Sequence, residues 1–346
     1  MYHFRNDYAE GAHPYILQKL LETNLEQQAG YGEDAYSTEA KAILRQKMNH
    51  PEAVIYFISG GTQTNLILIS SLLRIHEAVI SAQTGHIAAN ETGAIEATGH
   101  KVIAVPATDG KLQPTDIQSV LDAYALRPHV VKPRMVYISN ATETGTIYSL
   151  AELEALSAFC KAHQLILFAD GARLGHALTA ASNDVCLEDI ARLTDAFYIG
   201  GTKNGALLGE ALVFGKPQLA DEVDYALKQK GALLAKGRVM CIQFLELFRD
   251  DLYFDLARHA NRMAAKMAQA IKAKGFSFLS EPTTNQIFPI LPKPLIEHLS
   301  TQFAFYVWKE IDADYAAVRL ITSWATDEQM ADAFIAAMNQ YTDDGR

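Results

Sequence analysis

A lysine follows an apolar run and two glycines in the segment FYIGGTKNG, residues 197–205 of this 346-residue sequence. The apolar run predicts a strand, and the glycines let the backbone turn and approach a bound ligand closely. Open α/β sheets bind their ligands at the carboxyl ends of the strands, which is where this lysine, Lys203, would lie. Its amine could form a Schiff base with an aldehyde cofactor. A solvated surface lysine is the plainer interpretation of the same segment.

A second glycine pair follows an earlier apolar run, in the segment SGGTQTN of residues 59–65. This segment opens an apolar helix, and the free N–H groups and dipole of a helix start favour a phosphate. Gly61 allows the backbone to approach a ligand, and the hydroxyl groups of Thr62 and Thr64 add donors. The segment is neither GxGxxG nor a Walker loop, so it favours neither a dinucleotide nor a nucleoside triphosphate. A strand–helix turn with a threonine cap is the alternative.

Two further segments place side chains that could bind a cofactor or transfer a proton at strand ends. Asp170 follows an apolar run, and a carboxylate there could pair with the protonated ring nitrogen that makes pyridoxal a strong electron sink. A helix cap is the alternative role for Asp170. His86, in the segment TGHIAANE of residues 84–91, could stack on a flat cofactor ring, and Glu91 could orient it or handle a proton. A structural histidine is the alternative there.

Arg319 lies in the segment VRLITSW of residues 318–324, inside an otherwise apolar strand. An arginine in such a run needs an anionic partner, because an unpaired buried charge is costly. A substrate carboxylate gripped through two parallel N–H bonds is one candidate. An internal aspartate or glutamate is the other.

The order of apolar segments indicates how these residues are positioned. Short runs rich in Val, Ile, Phe and Tyr predict buried strands at 53–58, 78–81, 102–105, 135–139, 165–169, 196–199 and 211–214. Most gaps between them can hold a crossover helix, but the gap at 200–210 is too short, so the last strand should pair antiparallel. We therefore predict an α/β fold with a seven-stranded, mostly parallel sheet covered by helices on both faces.

The remaining segments predict a division into two domains. Residues 1–50 are mostly helical in pattern, and a long helical region runs from 216 to about 251. After it come a helix at 255–274, strands at 276–279, 286–290, 303–308 and 317–322, and a last helix at 327–341. This pattern is typical of a small α+β domain. We place a large domain at 1–248, including the N-terminal helical segment, and a small C-terminal domain at 249–346.

Composition excludes several classes of protein. The net charge is −10, with 30 basic and 40 acidic residues, which argues against nucleic acid or an anionic membrane as a partner. No signal-peptide pattern opens the chain, and no apolar run reaches the ~18 residues of a membrane span. The three cysteines form no CxxC pair, so neither a disulfide framework nor a metal site is indicated. A cytoplasmic location fits this composition.

Taken together, the motifs resemble those of the L-threonine aldolase / β-eliminating lyase family, which is dependent on pyridoxal 5′-phosphate (PLP) and has fold type I. The resemblance covers essentially the full length of the chain and is nearest to the low-specificity or phenylserine-type bacterial aldolases. The matching segments are FRND at 4–7, YGED at 31–34, GGT with Asn65, HI with Glu91, DGAR at 170–173, TKNG at 202–205 and RLITSW at 319–324.

The resemblance implies a role for each residue. Lys203 would hold PLP, Asp170 would bind its ring nitrogen and His86 would stack on the ring. Gly61 and Thr62 would hold the phosphate. Arg173 and Arg319 would take the substrate carboxylate, with Asn6 at a position where relatives usually have serine. Tyr31 would reach the site of a neighbouring subunit, so a homodimer or homotetramer is expected. Arg238 could add a phosphate contact or lie on a solvated helix face.

One segment departs from the family pattern. Many members carry an ENTH segment whose histidine is assigned to the proton of the β-hydroxyl group. The corresponding run here is SNATETG at 139–145, which has no histidine. The base for that proton is therefore open among His86, Glu91 and water.

The resemblance implies cleavage of a β-hydroxy-α-amino acid, of the L-threonine, L-allo-threonine or phenylserine type, into glycine and an aldehyde. The arginines would orient the Cα–Cβ bond, and a base would remove the hydroxyl proton. The alternatives are PLP-dependent β-elimination or transamination on the same scaffold, and a non-catalytic binding protein with the same fold.

Overall fold

The structure, a computed structural model, describes residues 1–341. Its strands are β1 (Tyr2–His3), β2 (Val54–Ile58), β3 (Glu77–Ala82), β4 (Lys101–Val105), β5 (Lys132–Ser139), β6 (Ile166–Asp170), β7 (Ala196–Gly200), β8 (Glu210–Phe214), β9 (Gln286–Ile287), β10 (Ile290–Pro292), β11 (Phe303–Ala304), β12 (Tyr306–Glu310) and β13 (Tyr315–Ile321). Its α-helices are α1 (Pro14–Glu22), α2 (Ala35–Lys47), α3 (Gly61–Leu72), α4 (His86–Ala89), α5 (Pro114–Ala123), α6 (Leu150–Ala162), α7 (Leu174–Leu178), α8 (Leu187–Leu193), α9 (Val223–Gln229), α10 (Arg238–Arg249), α11 (Leu252–Ala273), α12 (Lys293–Ser300) and α13 (Glu328–Gln340).

Seven strands form the central sheet, in the order β2-β8-β7-β6-β5-β3-β4. The pairs from β7 to β4 are parallel, whereas β8 is antiparallel to both of its neighbours, β2 and β7. A segment as short as the one between β7 and β8 can reverse the chain but cannot cross the sheet. The predicted seven-stranded, mostly parallel sheet and its antiparallel last strand are therefore confirmed.

Both faces of this sheet are buried. Along β5, Val136 and Ile138 belong to one apolar cluster, and Met135 and Tyr137 belong to another. Because successive side chains of a strand point to opposite faces, the two clusters lie on opposite sides of the sheet. Helices α2, α6, α8 and α10 contribute to the first cluster, and α3 and α9 contribute to the second.

A smaller α+β part follows, with its own apolar cluster. Strands β10, β13 and β12 form an antiparallel sheet, and β9 pairs with β13. Helices α11, α12 and α13 pack against it. The start of the chain also belongs here, since β1 pairs with β11 in parallel and Phe4 is fully buried in the same cluster. The division of the chain at residue 248 stays a prediction.

Four predicted elements in the second half of the chain are wrong. The strand at 286–290 is two short strands, β9 and β10, which pair separately with β13. The continuous helical region from 216 to 251 is interrupted, because Gly231 ends α9 with a positive φ of 70° and Gly237 precedes α10. The strand at 276–279 is only an isolated bridge between Phe278 and Pro289. The strand at 303–308 is two strands, since β11 pairs with β1 and β12 pairs with β13.

Within residues 1–341, no helix combines the length and the apolar character that crossing a bilayer requires.

Candidate active site

Polar side chains from five strand ends meet at one edge of the central sheet. Strand β3 leads to His86, β5 leads to Glu143, and β6 ends at Asp170. Strand β7 leads to Lys203, and the antiparallel β8 begins with Glu210 at the same edge. This edge is where open α/β sheets place their ligands.

These side chains line two adjoining cavities. The Asp170 cavity, of about 300 Å³, is lined by Tyr8, Ser59, Gly60, Gly61, Thr62, His86, Glu143, Asp170, Ala172, Tyr198, Thr202, Lys203 and Glu210. The Arg319 cavity, of about 250 Å³, is lined by Tyr8, His86, Asn90, Glu143, Arg173, Lys203, Gln286, Trp308 and Arg319. Four residues line both cavities: Tyr8, His86, Glu143 and Lys203. Together the cavities are large enough for a small-molecule site.

Asp170 is a buried carboxylate whose hydrogen-bond donors are all uncharged. Tyr137 and Tyr198 each donate a hydroxyl hydrogen bond of 2.5 Å to it. The backbone N–H of Ala172 and the amide of Asn65 donate the others, at 3.0 and 3.3 Å. A buried carboxylate is stabilised further by a cation, and a ligand in the cavity can supply one. The protonated nitrogen of a pyridine ring fits that requirement.

Lys203 stands where the two cavities meet. Burial lowers the pKa of its amine, and the positive charge of Arg173 acts in the same direction, against the carboxylates of Asp7 and Asp170. A lowered pKa increases the neutral fraction of a lysine, which is its nucleophilic form. The amine therefore suits attack on the aldehyde group of a cofactor.

His86 and Glu91 form one hydrogen-bonded unit with Asn65. The Nδ1 atom of His86 lies 2.8 Å from Oε1 of Glu91, and the same oxygen accepts a hydrogen bond of 2.8 Å from the Asn65 amide. Burial opposes a charge on the His86 ring, but the bond to Glu91 and the charge of Asp170 outweigh it and raise its pKa. Glu91 orients the ring and does not line either cavity.

The start of helix α3 fits an anion. Gly60 is its N-cap and makes no side-chain capping bond, so the first N–H groups of the helix stay available. Gly61 and Thr62 line the Asp170 cavity at this point. A Cβ on Gly61 would come within 3.1 Å of the Tyr198 hydroxyl, a tight contact that glycine avoids.

Arg319 faces its cavity with an unsatisfied donor. Its Nε atom is buried and has no hydrogen-bond partner among residues 1–341, and its guanidinium lies 5.1 Å from the centre of the Trp308 ring. Burial lowers the pKa of Arg319, and the charge of Arg173 adds to this effect. A partly buried guanidinium whose buried Nε lacks a partner fits an anionic ligand such as a carboxylate.

Arg173 is already engaged by an internal partner. Its Nε and one terminal nitrogen donate to the two carboxylate oxygens of Asp7, at 2.7 and 3.0 Å. Burial disfavours the charge on Asp7, but Arg173 and Lys203 hold the pKa of that carboxyl well below its usual range. The Asn285 amide donates a third bond to Asp7, at 2.9 Å. Arg173 therefore lines the Arg319 cavity as a fixed side chain, with one terminal nitrogen outside this ion pair.

His176 is fully buried and interacts electrostatically with both members of this ion pair. Within the described part of the chain, neither of its ring nitrogens has a hydrogen-bond partner. Burial lowers the pKa of His176 to about 4, and the charge of Arg173 contributes in the same direction. The unfolded chain, with an ordinary histidine pKa of about 6.5, takes up this proton first as the pH falls. The folded state therefore loses stability as the pH falls through that range.

We expect the His176→Phe variant to lose less stability on acidification than the wild type, because the buried site no longer has a proton to take up. Between pH 7.5 and pH 5 the difference should be roughly 2 kcal/mol in the free energy of unfolding. Urea unfolding of both proteins at the two pH values measures it. Parallel losses in the two proteins would show that His176 does not contribute to the acid sensitivity.

Besides Glu91 and Thr64, three residues singled out in the sequence lie outside both cavities. Asn6 accepts a hydrogen bond from the backbone N–H of Tyr8, which lines both cavities itself. Tyr31 is half exposed, with the amine of Lys228 4.6 Å from its ring centre. Arg238 donates to the carbonyl oxygens of Asn24 and Glu26. The roles of Asn6 and Tyr31 stay predictions.

The structure also brings in residues that sequence reasoning missed. Glu143 and Glu210 line the Asp170 cavity, and burial raises their pKa values to about 6 and about 7. Asp7 was visible only as part of the FRND segment, and its pairing with Arg173 joins distant parts of the chain. Glu143 could have been found, because it follows a predicted strand within the segment that lacks a histidine.

Comparisons with known proteins agree with this geometry. A family model described as beta-eliminating lyase matches residues 4–293. A low specificity L-threonine aldolase of Pseudomonas aeruginosa is 32% identical over 94% of this chain and 93% of that protein. A solved structure of a Leishmania major threonine aldolase is 46% identical, with a TM-score of 0.97 over 98% of this chain and 99% of that chain. An aspartate aminotransferase of Thermus thermophilus shares the fold, with a TM-score of 0.72 at 15% identity over 97% of this chain and 90% of that chain.

Proposed function

Because this chain belongs to the beta-eliminating lyase family, we propose that it is a PLP-dependent aldolase. It cleaves a β-hydroxy-α-amino acid, of the L-threonine, L-allo-threonine or phenylserine type, into glycine and an aldehyde. The observation that carries this proposal is the position of Lys203, which lies between the Asp170 cavity and the Arg319 cavity. A substrate amine can meet the cofactor at that point while its carboxylate lies in the second cavity.

The residues of the Asp170 cavity fit PLP. Lys203 would hold the aldehyde carbon, Asp170 would hold the ring nitrogen, and His86 would lie against the ring. Gly61 and Thr62 would bind the phosphate at the start of α3. PLP, when bound there, supplies an electron sink for the electron pair that remains at Cα after the Cα–Cβ bond breaks.

The residues of the Arg319 cavity would orient the substrate. The free Nε of Arg319 can donate to a carboxylate oxygen, and Arg173 can donate with the nitrogen that Asp7 leaves free. A carboxylate fixed in this way sets the direction of the Cα–Cβ bond, and such orientation lowers the barrier to cleavage.

Product analysis tests this function and separates it from other PLP reactions. The purified chain, loaded with PLP, is incubated with L-threonine, L-allo-threonine and L-phenylserine. We expect glycine and the matching aldehyde in equal amounts from at least one of them. Release of ammonia with a keto acid would instead indicate β-elimination, and a keto acid that appears only with an amino-group acceptor would indicate transamination.

Asp170→Asn should reduce turnover much more than folding stability. The change keeps the side-chain volume but removes the charge that would keep the ring nitrogen protonated. We expect kcat to fall by roughly 10²–10³-fold, as for the loss of other preorganised polar groups in active sites. Steady-state kinetics and thermal unfolding of the same sample measure the two effects.

Asp195→Asn is the matched control for this variant. Asp195 is also buried, but it lies at the opposite end of β7, where it accepts a hydrogen bond of 2.8 Å from Leu167 and pairs with Lys216. Its replacement should lower stability and leave kcat nearly unchanged. Full activity of the Asp170→Asn protein would show that Asp170 merely caps the following turn.

We propose further that the active form is a homodimer or homotetramer in the cytoplasm. Helix α1 exposes Tyr15, Leu17 and Leu21, and Tyr31 is half exposed nearby in sequence, which supports contact with a second copy. Cys160, Cys186 and Cys241 are all free thiols, and Cys186 is exposed, which supports a reducing compartment. In such an assembly Tyr31 would reach the cavity of the neighbouring subunit.

A further inference from the structure

We propose that Glu143 is the general base that takes the proton from the β-hydroxyl group of the substrate. This assignment rests on the proposed aldol cleavage and fills the role that sequence analysis left open. Glu143 lines both cavities, so its carboxylate lies between the place of the cofactor and the place of the substrate. The β-hydroxyl group must also lie at this junction, because Cβ is attached to the carbon whose amine meets Lys203.

The segment that carries Glu143 is fixed by hydrogen bonds within the segment and by others from the C-terminal part of the chain. The Thr142 hydroxyl bonds to the hydroxyls of Thr144 and Thr146, at 3.0 and 2.7 Å. From the C-terminal part of the chain, Ser280 donates to the Thr144 carbonyl at 2.7 Å, and Thr284 donates to the Gly145 carbonyl at 3.0 Å. A catalytic group must be held in place by surrounding contacts, and these bonds supply them.

The Glu143 carboxylate is less committed than His86 and Arg173, which line the same cavity. It accepts one hydrogen bond, from the Ser139 hydroxyl at 3.3 Å. His86 is held at Nδ1 by Glu91, and Arg173 is paired with Asp7. Lys203 is assigned to the cofactor. Glu143 therefore has an oxygen available to a hydroxyl group, which is the geometric requirement for a general base.

The surroundings of Glu143 also suit a base that works near neutral pH. Burial and the charge of Asp170 raise the pKa of Glu143 to about 6, against the nearby cations. The charged and titratable groups near it include Tyr8, Tyr137, Tyr148, Asp170, His86, Arg173, Lys203 and Arg319. A carboxylate with this pKa is ionised at pH 7.5 and is a stronger base than an ordinary glutamate.

The groups named above account for every proton and electron pair that moves during cleavage. Glu143 takes the hydroxyl proton, and the electron pair of the O–H bond forms the carbonyl of the aldehyde. The Cα–Cβ bond breaks, and its electron pair stays with Cα, for which bound PLP would supply the electron sink. One proton returns to Cα to complete glycine, and Glu143 releases the proton that it took. One substrate thus gives one glycine and one aldehyde without a net change in protons.

Glu143→Gln tests this role, because the amide keeps the shape of the side chain but cannot accept the proton. Two reactions of the PLP-loaded protein are compared: cleavage of L-phenylserine or L-threonine, and exchange of the α-hydrogen of glycine with deuterated water. Exchange needs the cofactor, Lys203 and the carboxylate contacts, but no β-hydroxyl group. We expect cleavage to fall by roughly 10²–10⁴-fold while exchange stays within a few-fold of wild type.

Two further variants and one titration complete the test. Glu154→Gln, an exposed change on α6, should leave both reactions unchanged. Glu143→Asp should recover part of the cleavage rate, since it restores a carboxylate. In the protein without cofactor, ¹³C NMR should show a glutamate carboxyl that titrates near pH 6 and is missing from the Glu143→Gln variant.

Several results would overturn the proposal. Normal cleavage by Glu143→Gln would exclude the role, and equal loss of cleavage and exchange would place Glu143 at the cofactor instead. A Glu143 carboxyl that titrates at the ordinary glutamate pKa would also contradict it. A wild-type protein that exchanges glycine but cleaves no β-hydroxy amino acid would refute the proposed function itself, which distinguishes the two failures.

Discussion

Lys203→Ala should abolish turnover and the visible absorbance that PLP acquires when it is bound to a lysine. The amine of Lys203 is the nucleophile assigned to the cofactor aldehyde, and alanine leaves nothing in its place. Some PLP should still bind, because Asp170 and the start of α3 are unchanged. Borohydride reduction followed by peptide mass measurement should place the cofactor on the wild-type peptide that contains Lys203, and on no peptide of the variant.

Lys161→Ala provides the matched control for this change. Lys161 is exposed on α6, away from both cavities, and its replacement should alter neither the absorbance nor the kinetics. A Lys203→Ala protein with normal turnover would refute the assignment of PLP chemistry to this chain.

Arg319→Lys should lower kcat/KM. The fall should correspond to a loss of roughly 2–5 kcal/mol of transition-state stabilisation, the range for loss of one partner of a buried charge pair. A lysine keeps the positive charge but cannot form the planar, bidentate hydrogen bonds that a guanidinium makes with a carboxylate. The substrate should bind more weakly, so KM rises, and the Cα–Cβ bond should be misplaced, so kcat falls as well. The PLP content should hardly change, because Arg319 lines the second cavity only.

Arg192→Lys is the control, since Arg192 is exposed and pairs with Asp189 on its own helix. It should leave kcat and KM unchanged. The opposing view of Arg319 is that it contributes to folding through the Trp308 ring, which lies 5.1 Å from its guanidinium. An Arg319→Lys protein that unfolds more readily, with unaltered kcat and KM, would remove Arg319 from the site.

Much of the central sheet could be predicted because its strands are short, apolar and separated by segments of helix length. Such runs depend on local composition, and the antiparallel β8 follows from the shortness of the preceding gap. The pairing of β1 with β11 was missed, since it joins residues from opposite ends of the chain. The break between α9 and α10 was also missed, although Gly231 and Gly237 were present to indicate it.

In the candidate site, too, features set by local sequence could be predicted, whereas those set by contacts between distant residues could not. Lys203, Asp170 and His86 could be found from sequence, because each follows a strand whose carboxyl end must lie at the ligand-binding edge. The partners of these residues depend on tertiary contacts. No local pattern indicates that Asp7 would bind Arg173, or that Tyr137 and Tyr198 would both donate to Asp170. Glu143 lies in the segment without a histidine, and its position between the two cavities depends on tertiary contacts.

A crystal structure of this protein with PLP and glycine would test the central claim most directly. The arrangement described above predicts the ring nitrogen of PLP against Asp170, its phosphate at Gly61 and Thr62, and the glycine carboxylate against Arg319. A cofactor bound away from Lys203, or a glycine carboxylate that points away from Arg319, would contradict it.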